Sequence, residues 1–450
     1  MDSRAGPVQE RLRIFRPVTL NVTHRVYAAT RQQWATTQWR EAPMTNPPDP
    51  SEDVLDLLVI GGGVMGLFTA YQASSSHQAR VAVLERGRVG DPTTASFGRT
   101  RSYRRDYLDA GYTRLADEAV GLWTDFEART GTEVLVRCGC MNIAKSSVTP
   151  ELDVTYARMT TDLMNRLGMP VQSFGLDETA EKYPYLRVDV ADLDPVGGLV
   201  NLPAVTAALV AGLAEAKSAV HEQVTVTAIS TVDDLVRVTT DIGEFVTRSL
   251  VITAGHGTND VLSLLPDCNL QIPITKDRPS DAKYFVPPAE VRHQFTSDVM
   301  PVIAYLDTGI YLHPIVEGLI DAVKIGYYNP PDMPRGTTSI DSIASFIEQC
   351  LPGLAGSQIS DVTDVDQCDY DLVDDDDFVL GSVPGFSNVF VASAGAAPAT
   401  SSPPGWAGCC PSWPPARHRL RHRPLRPGPV RAGPDHCCLH RERRLEGESS

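Results

Sequence analysis

No stretch of this chain holds the roughly 18–20 consecutive apolar residues that a bilayer-spanning helix requires, which excludes a transmembrane helix. The first thirty residues lack the apolar run of a secretory signal. Nine cysteines are present, at Cys138, Cys140, Cys268, Cys350, Cys368, Cys409, Cys410, Cys437 and Cys438, and none forms a CxxC pair. That spacing fits neither a zinc module nor a disulfide framework, so free thiols in a reducing cytoplasm are expected. Positive charge is in short supply: 40 Lys and Arg against 56 Asp and Glu give a net charge of −16. Such a balance argues against nucleic acid or anionic lipid as the main partner. The 42% hydrophobic and 21% charged residues exclude a disordered or collagen-like chain, and 450 residues suffice for two or three cores.

The strongest motif opens at Asp56-Leu-Leu-Val-Ile-Gly-Gly-Gly-Val-Met-Gly66, an apolar strand running directly into GxGxxG. Gly61 permits the tight turn, Gly63 lets the backbone approach a pyrophosphate, and Gly66 lets helix and strand pack closely. Residues 64–76 then read as a helix whose N-terminal N–H groups and dipole face that anion. A second strand, Arg80-Val-Ala-Val-Leu84, ends at Glu85, an acid placed to bind a ribose hydroxyl and to disfavour a 2′-phosphate. Strand, glycines, helix, strand and acid in this order predict a dinucleotide site. They do not choose between FAD and NAD.

The remainder of the chain does. Beyond Glu85 it runs into Ser96-Phe-Gly-Arg-Thr-Arg-Ser-Tyr-Arg-Arg105 and a helical stretch over 112–129. There the sequence resembles the flavin-dependent amine oxidases of the D-amino-acid oxidase superfamily, in particular the group of monomeric sarcosine oxidase and N-methyltryptophan oxidase. The resemblance spans about 56–395. Gly197-Gly-Leu-Val-Asn201 resembles the entrance to the second FAD block. Residues 224–246 alternate as a β-meander. Ser249-Leu-Val-Ile-Thr-Ala-Gly255 resembles the strand that ends beneath the dinucleotide, which marks Ala254 and Gly255, and Asn388-Val-Phe-Val-Ala-Ser-Ala-Gly395 resembles the last strand, which ends at the flavin at Gly395.

The resemblance implies FAD, bonded covalently through Cys368 in Cys368-Asp-Tyr370, with Tyr370 in the active site. It implies that Lys324, within Ala-Val-Lys-Ile-Gly-Tyr-Tyr328, lies over the flavin and promotes reaction with O₂, because a fixed cation stabilises the superoxide formed by the first electron transfer. It places Arg101 near the flavin and Arg104 on the substrate carboxylate, a task that suits a planar guanidinium. Arg99 and Arg105 crowd the same stretch. Phe97 and Tyr328 stand where sarcosine oxidases carry histidine, which predicts a different pocket and leaves a larger or cyclic amine as an alternative substrate. The pair Cys138 and Cys140 reads as strand packing, and the run Asp374–Asp377 as a solvated turn rather than a metal site.

The implied fold is α/β: a Rossmann-like FAD-binding domain (54–130, 196–262 and 366–395) interleaved with an α+β substrate domain on a mixed sheet (131–195 and 263–365). Residues 1–53 are expected to be a disordered extension. From 396 to 450 the composition turns Pro- and Arg-rich, and other reading frames of this stretch can encode peptides resembling the family's terminal helix. A frameshifted tail, and with it an inactive product of a damaged gene, is therefore a further expectation. The reaction implied is oxidation of the C–N bond of a secondary or N-methyl amino acid by a cytoplasmic monomer, with O₂ as acceptor and H₂O₂ as product.

Overall fold

A computed structural model describes residues 54–274, 282–327, 343–360, 373 and 378–393. Two eight-stranded sheets and a three-stranded one organise them. The first sheet grows from β1 (Leu55–Ile60), which is buried from Leu57 to Ile60, where both faces are covered. A run of Leu, Val and Ile without alternation is what a doubly covered parallel strand requires. β1 pairs in parallel with β2 (Val81–Leu84) on one side and β12 (Gly243–Ile252) on the other. Outward from these lie β9 (Ala219–His221) beside β2 and β19 (Val389–Ser393) beside the end of β12, both parallel. β10 (Val226–Val232), β11 (Leu235–Thr240) and β12 form the antiparallel meander expected over 224–246, and β18 (Val379–Ser382) returns against β19. Between β1 and β2 runs α1 (Val64–His77), close to the expected helix; its Phe68 and Tyr71 meet Phe126, and Phe68 also meets Trp123, of α2 (Ala110–Thr130) edge to face.

The second sheet holds β5 (Cys140–Ala144), β6 (Gln172–Phe174), β7 (Val190–Asp194), β13 (Lys283–Val286), β14 (Val302–Tyr305), β15 (Ile310–His313), β16 (Val323–Tyr327) and β17 (Gln358–Ile359), in the order β17-β13-β16-β15-β14-β5-β7-β6. Because side chains alternate along a strand, the register sorts them into two faces. Met141, Ile143, Leu193, Phe285, Ile303, Tyr305, Ile310, Leu312, Val323 and Ile325 form one buried core with Phe346 and Cys350 of the helix Ile343–Cys350. Each such side chain contributes about 1.5–3 kcal/mol of burial. The opposite face is polar. One row across it reads Tyr284, Lys324, His313, and the next reads Gly326, Tyr311, Ala304, Asn142, Asp192.

The third sheet joins β3 (Thr100–Tyr103), β8 (Gly198–Asn201) and β4 (Leu135–Val136). β3 is the strand that brings the Arg-rich stretch onto the polar face. No helix among the described residues is long and apolar enough to cross a membrane.

Candidate active site

The first part of the site is the turn between β1 and α1. Gly61 adopts φ +114°, and a Cβ there would lie 2.3 Å from the Thr253 carbonyl oxygen. A Cβ on Gly66 would lie 1.9 Å from the Gly61 carbonyl oxygen. Only glycine at both positions lets helix, turn and β12 close together. Thr253, which immediately follows β12, braces the turn: its N–H donates to Ile60 O (2.8 Å) and its hydroxyl reaches Ile60 O and Gly61 O (3.1 and 3.0 Å). Sequence reasoning pointed one and two residues further, to Ala254 and Gly255. Those open a short 3-10 turn, with Ala254 N standing 3.0 Å from the point a Gly61 Cβ would occupy.

Gly63 is the N-cap of α1, has no side chain to offer, and is followed by no acid in the first turn. Its missing Cβ leaves room for Ser96, whose Oγ accepts from Val64 N–H at 2.9 Å. Glu85 is fixed at the end of β2, where its carboxylate accepts from Gly62 N–H (2.6 Å) and Gly87 N–H (2.7 Å). A glycine cradle that any Cβ would fill, a helix N-terminus whose own N-cap residue has no side chain and an acid at the strand edge suit an anion flanked by a ribose.

The second part is the set of basic residues on and around β3, and each has a distinct task. Arg101 donates to the carbonyls of Thr100, Ala95 and Phe97 (3.0, 3.2 and 2.6 Å), so it shapes the loop that delivers Ser96 to the cradle. Arg99 reaches the Leu319 carbonyl. Arg105 is buried and doubly bonded to Asp194 (3.0 and 2.6 Å), with Asp117 at 2.6 Å as a further partner. Arg104 is buried; its Nη1 donates to the Asp106 carbonyl (2.8 Å), to Asp106 Oδ2 (3.2 Å) and to the Tyr156 hydroxyl (3.2 Å), while its guanidinium lies 4.5 Å from the Tyr107 ring centroid.

The third part is the polar face of the second sheet. Lys324 is 1% exposed and so is enclosed within the fold rather than facing solvent. Its Nζ lies 5.7 Å from the Tyr311 ring centroid, and Tyr311 lies across Gly326, where a Cβ would meet the phenol oxygen at 2.6 Å. Beside Lys324 in register is His313, which sequence reasoning missed. Its Nδ1 is 2.8 Å from Thr100 Oγ1 and its Nε2 2.9 Å from Ser102 Oγ, so the imidazole bolts β3 to β15. Burial first, then Lys324 and Arg101, pulls its pKa well below the ordinary imidazole value. The group is therefore neutral, donating through one nitrogen and accepting through the other. Asp106 and Asn142, also missed, complete this face: the Asn142 amide donates to Asp106 Oδ2.

Cys140 is buried in β5 and Cys138 lies just before it; burial pushes the Cys138 thiol up to about 11, so these are packing thiols. Among the described residues no group of His, Cys, Asp and Glu could hold a metal. Cys368, Tyr370, Tyr328 and Gly395, like 1–53 and the tail from 396, lie outside the described residues.

Comparison with known proteins adds an independent finding. A family model described as FAD dependent oxidoreductase matches residues 56–407. Peroxisomal sarcosine oxidase of Homo sapiens is 26% identical over 360 residues, covering 76% of this chain and 87% of that protein. N-methyl-L-tryptophan oxidase of Yersinia pestis (strain Pestoides F) is 27% identical over 356 residues, covering 75% and 89%. Among solved structures, L-proline dehydrogenase from P. horikoshii superposes with a TM-score of 0.65 at 18% identity, covering 79% of this chain and 92% of that one, a likeness of fold.

Proposed function

We infer the reaction from one premise: this chain belongs to the family of FAD dependent oxidoreductases. The function is oxidation of the C–N bond of a secondary or N-methyl amino acid, with O₂ as acceptor and H₂O₂ as product. The names of the two sequence relatives favour N-methyl amino acids as the substrate class. FAD, when bound, would supply the two-electron redox chemistry that couples oxidation of the C–N bond to reduction of O₂.

The cradle of Gly61, Gly63 and Gly66 would hold the diphosphate, Glu85 the ribose, and Ala254 and Gly255 the floor beneath. Arg101 would keep the 95–100 loop closed over the site. Arg104 would hold the substrate carboxylate between the rings of Tyr107 and Tyr156. Lys324, as an ammonium, would stand where oxygen acquires charge. Within the same reading Cys368 would carry the flavin, with Tyr370, Tyr328 and Gly395 around it. The domain division is supported by the sheets. Strands of the first sheet fall within 54–130, 196–262 and 366–395, and strands of the second within 131–195 and 263–365. A cytoplasmic monomer completes the proposal.

The observation that carries the reading is the buried Lys324 on the one polar face against which β3 packs. The test is FAD-loaded protein, a panel of N-methyl, cyclic and bulky amines, and peroxide detection. Peroxide formed with N-methyl amino acids is the expected result. Flavin reduction without peroxide would reassign the chain to the dehydrogenases, and turnover of bulky amines alone would reassign the substrate.

A further inference from the structure

Arg104 does not wait in isolation for an anion. It is 3.2 Å from the carboxylate of Asp106, and both side chains are buried, at 9% and 2% exposure. Together they are a neutral pair in an enclosed place. A substrate carboxylate arriving at Arg104 would leave two anions against one guanidinium, and two like charges sharing a buried site cannot both persist. One of them must give up its charge.

The hydrogen bonds around Asp106 indicate which one. Asp106 Oδ2 accepts from Arg104 and from the Asn142 amide. Asp106 Oδ1 and Asn142 Oδ1 are both buried acceptors with no donor. Two unmet acceptors on side chains already bonded to each other are one proton short. A proton on Asp106 would turn one of these acceptors into a donor, and Asn142, already bonded to Asp106, holds an oxygen that still lacks one.

We propose that Asp106 takes up one proton when a carboxylate binds Arg104, changing from counter-ion of the guanidinium to neutral partner of Asn142. The proton comes from solvent, and no bond other than O–H forms. Burial raises the Asp106 carboxyl above the usual range, against the lowering effect of Arg104 and Asn142, and Asp194 adds to the rise. The groups facing it are Arg104, Asn142 on β5, Cys140 on the same strand, Asp194 on β7, which Arg105 neutralises, and Tyr156, whose hydroxyl donates to the Asp106 carbonyl. The inference rests on the reading of Arg104 as the carboxylate anchor. It adds a pH dependence to substrate binding that a fixed arginine alone would not have.

The test uses acetate, a carboxylate that cannot be oxidised as an amine, with FAD-loaded full-length protein. Calorimetry in two buffers of different ionisation enthalpy counts the protons taken up per acetate between pH 6 and 9. The expected result is uptake approaching one proton within this range, with affinity falling about tenfold per pH unit in that window. In Asp106→Asn, which keeps the size of the side chain, uptake vanishes and affinity is flat across the same window. Equal proton uptake in Asp106→Asn and the wild type, or none in the wild type at any pH, overturns the proposal. Acetate that fails to bind, or that binds Arg104→Gln as well as the wild type, instead overturns the anchor reading beneath it.

Discussion

Two glycine-to-alanine substitutions should move stability in opposite directions, and the reason is visible in the packing. In Gly66→Ala the new Cβ would fall 1.9 Å from Gly61 O and 2.5 Å from Thr253 Oγ1, where 3.4 Å is ordinary contact. The neighbouring atoms are a backbone carbonyl and the hydroxyl that braces it, so neither swings aside. α1 must retreat, and its Phe68 and Tyr71 rings, set edge to face on Trp123 and Phe126, oppose that movement. Overpacking of this kind costs about 1–3 kcal/mol, and weakening the Thr253 hydroxyl bonds adds about 1 kcal/mol. Gly121 lies exposed within α2, where a Cβ meets nothing within 4 Å. Gly121→Ala removes backbone freedom from the unfolded chain and should stabilise by about 0.5–1 kcal/mol. Urea unfolding followed by circular dichroism reads both. Gly66→Ala should lower the midpoint by on the order of 1 M with little change in slope, and should weaken FAD retention, because the cradle moves with the helix. A Gly66→Ala midpoint equal to that of the wild type with flavin retained, or shifts of the same sign in the two variants, would refute the steric account.

Lys324→Met keeps the length and removes the charge. A charge about 4 Å from developing superoxide at an effective permittivity of about 20 is worth about 4 kcal/mol, so reoxidation by O₂ should slow about a thousandfold in stopped flow while reduction by substrate changes far less. His313 has a folded pKa below its unfolded value, so the unfolded state binds more protons in between. Stability should rise with pH up to about 6.5 and then level off, and His313→Gln should flatten that rise in pH-dependent melting. Asp194→Asn leaves Arg105 buried with only Asp117, itself 43% exposed on the side chain, and should cost about 3–5 kcal/mol by chemical denaturation. Yellow fluorescence should stay with the polypeptide on a denaturing gel and be absent from Cys368→Ser; its absence from the wild type would remove the covalent link.

The glycine turn was legible because its glycines and the strand-end acid lie within one continuous run of residues, whereas its braces Ser96 and Thr253 come from elsewhere in the chain. Gly61, Gly63, Gly66 and Glu85 declare a local geometry that only glycine and a strand-end acid satisfy. Lys324 was singled out through the family resemblance, while its burial depended on which face of β16 met β3, and strand alternation alone leaves that choice open. His313 sits in Ile310-Tyr-Leu-His313 with no marker beyond alternation. The signal that could have found it is that Tyr311 and His313 share parity, and that a hairpin to β16 sets His313 opposite Lys324. Asp106 and Asn142 are 36 residues apart and meet only through tertiary packing. The crowded arginines were separable in space alone: Arg105 and Arg104 are adjacent in sequence, yet one is bound to β7 and the other to Asp106 and Tyr156.

β12 is flanked by β1 at one edge and, over Leu250–Ile252, by β19 at the other. The partner of that edge comes from Val389–Val391, near the end of the described chain. During synthesis the ribosome therefore releases about 140 residues with a fully apolar strand edge still waiting for its neighbour. An open edge of this kind invites pairing with another chain. Recombinant yield should respond to chaperone supply and to slower translation more than to changes at Arg104 or Lys324, and a chain truncated before β19 should accumulate as aggregate rather than as a smaller soluble fragment.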